Sequence, residues 1–160
     1  MMKNIKKSEE ESLNCKKRKM VIIVAAAIVL GFGAYILFWY MWQNAKYTPY
    51  ITGMEEFVPG KSYVYTAEDG YLYNVKKPDF LTYTGNMCVS VPKGECALLI
   101  WPKARKGFDY GVQIQKDQEI YSIMLKADHT AVEKNDNELL QEYSECIEDL
   151  FKKASDKWEI

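Results

Sequence analysis

Histidine is nearly missing from this chain: His129 is the one instance among 160 residues. A closed zinc site therefore has a single imidazole to draw on, and no Cys-x-x-Cys pair supplies the missing ligands. A Ser or Cys nucleophile would depend on that same His129 as its base, and no Gly-x-Ser-x-Gly elbow marks one. Glycine-rich phosphate loops are lacking as well. Carboxylates are numerous, but scattered pairs of them identify no hydrolase. The expectation from these gaps is a chain without a cofactor, a metal or a catalytic constellation. His129, beside Asp128, reads as an ordinary loop residue.

The longest stretch without charge lies near the amino end. Met20 to Trp42 carries no charged side chain and follows directly on Lys16, Lys17, Arg18 and Lys19. A helix of that length rises roughly 34 Å, enough to cross a hydrocarbon layer of ~30 Å. Gly31-Phe32-Gly33 resembles a signal-peptide cleavage site, yet the chain stays apolar through Trp42. The reading is an uncleaved single-pass anchor. Its basic flank, Lys16 to Lys19, sets the amino end on the cytoplasmic side, and Trp39, Tyr40 and Trp42 suit the opposite interface. Ala25 to Ala27, Gly31, Gly33 and Ala34 offer small residues through which two spans can approach, so self-association in the membrane is one expectation.

The anchor divides the charge unevenly. Residues 1–19 hold seven Lys/Arg against three Glu, a net of +4; from residue 43 onward 14 Lys/Arg face 19 Asp/Glu, a net of −5. An acidic outer portion argues against nucleic acid as a partner. No Asn-x-Ser/Thr triplet occurs, which favours a bacterial outer surface over a secretory lumen. The domain reading is a disordered cytoplasmic tail over 1–19, a transmembrane helix over 20–42, a juxtamembrane connector over 43–60 and an extracytoplasmic domain over 61–160. Pro49, Gly53, Pro59 and Gly60 give the connector its breakers, with room for one short element between the prolines.

From Lys61 the texture becomes short runs rich in Tyr, Val, Ile and Thr. Strands are predicted at Ser62–Thr66, Tyr71–Val75, Phe80–Tyr83, Met87–Val91, Cys96–Trp101, Gly111–Gln115 and Glu119–Lys126, filling about 62–127. Glu68-Asp69-Gly70 and Pro92-Lys93-Gly94-Glu95 are turns too short for parallel crossovers, so the neighbours are antiparallel. Leu139, Leu140, Tyr143, Cys146, Ile147, Leu150, Phe151, Ala154 and Trp158 recur every three or four residues, predicting one amphipathic helix over about 136–158. Asn135 and Glu138 match a capping box. The fold class is α+β: an N-terminal transmembrane helix, an antiparallel, curled six- to seven-stranded sheet, and a packed C-terminal helix.

Three cysteines fall in the outer portion. If Val91 pairs with Cys96, then Ser90 meets Ala97, Val89 meets Leu98 and Cys88 meets Leu99. Cys88 and Cys96 then lie on opposite faces, beyond the ~7 Å reach of a bridge between Cα atoms. A bulge restoring that bond, a bond from either residue to Cys146, and three free, mostly buried thiols are the open alternatives. The candidate binding loop is Trp101 to Tyr110, with Lys103, Arg105 and Lys106 between Trp101 and Tyr110. It suits an anionic headgroup, an anionic polymer or an acidic partner. Tyr63/Tyr65 and Tyr71/Tyr73 form an aromatic set on one hairpin.

The expected function is a non-enzymatic, membrane-anchored module that binds a protein partner at the membrane surface in an accessory or assembly role. A ligand-binding sensor with a pocket in the curled sheet is the alternative, and an enzyme or inhibitor acting through the basic loop ranks behind it.

Overall fold

The computed structural model describes residues 2–160, with side chains from Lys16 onward apart from that of Lys134. Helix α1 runs Met2–Ile51 and contains the apolar run. Among the described residues, it holds the one stretch long and apolar enough to span a membrane or act as a signal anchor. The chain divides into two units, Met1–Trp42 and Gln43–Ile160.

The helix extends beyond the apolar run at both ends, which corrects two expectations. Residues 1–19 were expected to be disordered, yet the backbone is helical from Met2. Lys, Glu, Leu and Met favour helix, no Gly or Pro intervenes, and extending an existing helix needs no new nucleus. The connector is also helical as far as Ile51, with Pro49 inside its last turn. Pro49 lacks the N–H that would reach the Ala45 carbonyl, a loss tolerated so close to the end. Here Thr48 Oγ1 donates to the Asn44 carbonyl at 2.6 Å and Thr52 Oγ1 to that of Thr48 at 3.0 Å. Gly53, at φ +74°, then turns the chain out of the helix.

Seven strands follow: β1 Glu55–Val58, β2 Ser62–Thr66, β3 Leu72–Lys76, β4 Asn86–Ser90, β5 Cys96–Pro102, β6 Phe108–Lys116 and β7 Glu119–Leu125. They form one antiparallel sheet in sequence order, not closed into a barrel. The β4–β5 register matches the sequence prediction, with Cys88 opposite Leu99, Val89 opposite Leu98 and Ser90 opposite Ala97. β1 is the short element between the prolines. It is exposed throughout and bulges between Glu56 and Val58.

The predicted strand at Phe80–Tyr83 is not one. Pro78 cannot donate to a ladder, and Asp79 starts a turn in which its carbonyl accepts from the Thr82 N–H at 2.9 Å and from Thr82 Oγ1 at 2.8 Å. Leu81 takes a positive φ of 60° there, and Asp79 also pairs with Lys61 and Lys76.

The single helix predicted over 136–158 is two: α2 Asn137–Glu142 and α3 Ser144–Trp158, broken at Tyr143 and preceded by a 3-10 turn at Lys134–Asp136. The capping box does not form. Asp136 is the N-cap residue, without a side-chain cap bond, and Asn137 Oδ1 instead accepts the Ala131 N–H at 3.1 Å.

One face of the sheet and the apolar stripe of α3 make the core of the second unit. Alternation along the strands puts Tyr73, Val75, Met87, Val89, Cys96, Leu98, Ile100, Val112, Ile114, Ile123 and Leu125 on that face. Ile147, Leu150, Ala154 and Trp158 meet them from α3. Tyr47, from the last turns of α1, is fully buried in the same core. Its hydroxyl accepts the Gly85 N–H at 2.8 Å. Trp158 Nε1–H donates to the Tyr50 carbonyl at 3.0 Å, satisfying one of the acceptors a helix end leaves open.

Candidate functional site

The loop between β5 and β6 exposes the predicted basic residues but does not gather its aromatics. Lys103 N–H donates to the Gly107 carbonyl at 3.0 Å, closing the loop, and Gly107 takes φ +89°. Lys103 pairs with Asp109 at 2.8 Å with both side chains about half exposed, a geometry worth little in stability. Lys46 donates to the Lys103 carbonyl and so ties the loop to the end of α1. Arg105 and Lys106 are exposed at the tip. Register places Trp101 opposite Asp109 and Ile100 opposite Tyr110. Tyr110 thus shares the core face with Ile100, while Trp101 shares the opposite face, its ring so close to Gly111 that a Cβ there would lie 3.0 Å from it. The residues expected to grip one ligand are split between two sides of the sheet.

Tyr110 belongs to an aromatic cluster. Its ring lies 6.1 Å from Phe108, 5.9 Å from His129 and 5.2 Å from Phe151. His129 stacks on Phe151 at 4.1 Å with 10° between the planes. The single histidine is therefore a packing residue in a loop, at φ 62°. The tyrosine pairs behave in part as predicted: Tyr65 faces Tyr73 across β2 and β3 at 5.8 Å. Tyr71 instead donates its hydroxyl to Asp149 of α3. That bond, with burial behind it, pushes the Tyr71 hydroxyl up to about 12. Lys153 of α3 bonds Asp69 at 2.6 Å beside it, holding that carboxyl below its usual range.

The sheet face opposite the core was not singled out by the sequence. One cross-strand row on it reads Val64, Asn74, Cys88, Leu99, Gly111, Met124. Flanking rows hold Thr66, Leu72, Ser90, Ala97, Gln113 and Ser122, and the charges Glu55, Lys76 and Asp109 sit at the margins. Leu72 is 43% and Met124 48% exposed. The signal was available in the alternation, but locating the row required the register of all six ladders.

Two hollows open beside the sheet. One, ≈ 310 Å³, opens beside the β4–β5 turn among Val91, Pro92, Cys96, Tyr143 and Cys146. The other, ≈ 210 Å³, is lined by Lys76, Lys77, Asp79, Thr84, Gly85, Asn86 and Trp101. The first opens on the core side of the sheet at its β4–β5 end, bordered by Cys96 of β5 and Cys146 of α3, while side chains of α3 and α1 fill the rest of the core face. Among the described residues no group of three or more His, Cys, Asp or Glu is placed to hold a metal.

The fold and surface define an α+β protein with one long apolar helix and an open seven-stranded meander. No known family, curated protein or solved structure matches this chain.

Proposed function

We propose that the chain is a single-pass membrane protein whose second unit docks another protein at the membrane surface, in a non-enzymatic accessory or assembly role. The amino end lies in the cytoplasm, as Lys16, Lys17, Arg18 and Lys19 favour, and the second unit lies outside a cell membrane of bacterial type. The observation that carries the reading is the uncovered sheet face. It offers Val64, Leu72, Cys88, Leu99, Trp101 and Met124 among small neutral residues and keeps charge at the edge. A centre depleted of charge with a polar rim is the composition of an interface core.

A photo-crosslinking residue placed at Leu99 or Met124 in the membrane-embedded chain should capture one and the same protein species. The same probe at Lys152, exposed on α3, should not, and Leu72→Lys should abolish capture without altering the melting temperature. Equal capture from Lys152, or turnover of a substrate by the purified chain, would sink the proposal. For the topology, added protease should reach the second unit from outside intact cells and leave residues 1–19 untouched. A ligand-binding role is the second reading, supported by the ≈ 310 Å³ hollow beside the β4–β5 turn. Thermal-shift screening that finds stabilisers blocked by Tyr143→Trp would favour it.

A further inference from the structure

Three cysteines lie in the second unit, all free thiols in this structure. The ladders sort them. Cys88 pairs with Leu99 on the face away from the core, whereas Cys96 shares the core face with Leu98 and Ile100 and is 1% exposed. Cys146 sits in the first turns of α3, half-buried and packed against that same core. It joins Cys96 in lining the ≈ 310 Å³ hollow, so both side chains border the same space. Of the three possible pairs, this is the one whose members share the core side of the sheet and one hollow. Cys88 is separated from both by the thickness of the sheet.

We propose that Cys96 and Cys146 are a disulfide-forming pair that staples α3 covalently to β5, with an external disulfide as the oxidant. The hollow supplies the access. Cys146, the more exposed partner, attacks one sulfur of the oxidant as its thiolate, forming a mixed disulfide and releasing one oxidant thiol. Cys96 then gives its proton to water entering the hollow and attacks Cys146 Sγ, so that the Cys96–Cys146 bond forms and the second oxidant thiol leaves. Two protein thiols and one disulfide become one protein disulfide and two thiols, with two electrons transferred. Burial, and then the neighbouring Cys146, push the Cys96 thiol up to about 12, so the second step is the slow one.

The bond closes a loop running from β5 through β6, β7 and α2, long enough to restrict the unfolded chain strongly. The domain's melting temperature should accordingly rise on the order of 10 °C on oxidation.

The test uses the full chain in detergent, incubated with oxidised glutathione, quenched in acid, unfolded and alkylated. Peptide mapping should find the Cys96 and Cys146 peptides joined and Cys88 alkylated or carrying glutathione. Cys88→Ser should keep both the bridge and the thermal shift; Cys96→Ser should lose both and retain a glutathione adduct on Cys146. A bridge that includes Cys88 would overturn the proposal. So would Cys96 and Cys146 remaining alkylatable under conditions that oxidise a short peptide bearing the Cys146 sequence. A bridge that lowers the melting temperature would refute the staple.

Discussion

Tyr47→Phe removes one oxygen from the most buried tyrosine of the second unit, and its consequence can be worked through. Tyr47 is 0% exposed, and its hydroxyl is the acceptor for the Gly85 N–H at 2.8 Å. Burial raises the hydroxyl above its ordinary range, with the Gly85 bond pulling partly the other way, as expected for a phenol lodged among apolar groups. Phe keeps the ring and its packing but leaves a buried backbone donor unpaired, which costs about 1–3 kcal/mol. The roughly 118 residues from Gln43 to Ile160 should unfold with an entropy on the order of 250 cal/mol/K, so each kcal/mol moves the midpoint by ~4 °C. The expected fall is therefore about 4–12 °C, read by near-ultraviolet circular dichroism of the full chain in detergent.

Gly85→Ala attacks the same contact from the other side. A Cβ there would lie 2.2 Å from the Lys76 carbonyl and 2.9 Å from Tyr47 Oη, so backbone must move, and ~3 kcal/mol or more should be lost. Because both changes break one contact, the double variant should fall short of the sum by more than ~0.5 kcal/mol. A Tyr47→Phe midpoint within ~1 °C of the parent, or strict additivity, would refute the role given to this bond.

The remaining predictions concern the contacts that α3 makes with the rest of the unit. Tyr71, raised to about 12 by its bond to Asp149, contributes stability that is complete below its unfolded value near 10 and is lost as pH rises from there through 12. Urea midpoints should therefore fall more steeply above pH 10 for the parent than for Tyr71→Phe; parallel profiles would contradict the assignment. Trp158→Phe should keep the ring contact with Tyr73 at 5.5 Å while losing the donor to the Tyr50 carbonyl. A drop of about 1–2 kcal/mol in equilibrium unfolding is expected, and no change would mean that the carbonyl finds another partner.

How much of this was legible depended on the range of the forces involved. The apolar run and the β4–β5 register are local patterns, and they emerged as the residues implied. Local propensity misled at Phe80–Tyr83, where β-prone side chains are overruled by Pro78 and by Asp79, which accepts from Thr82 and pairs with Lys61 and Lys76. It also misled at Tyr143, where an unbroken stripe of apolar residues is divided between α2 and α3 without Gly or Pro. The candidate loop illustrates a different limit. Trp101 and Tyr110 are close in sequence, but an odd offset across the β5–β6 ladder sends them to opposite faces. That Cys96 and Cys146 border one hollow depends on how α3 docks, which no local pattern encodes.

The sequential strand order has a consequence for how the domain is made. Each strand pairs with the one just before it, so ladders can close one after another as the chain emerges, from β1–β2 to β6–β7. Most of the core face, however, stays open until Ser144–Trp158 has been delivered, because Ile147, Leu150, Ala154 and Trp158 are the α3 side chains that cover it. Trp158 then bonds the carbonyl of Tyr50, 108 positions earlier. A nascent chain would carry a fully paired but largely uncovered sheet, sticky on one face, until its last helix arrives.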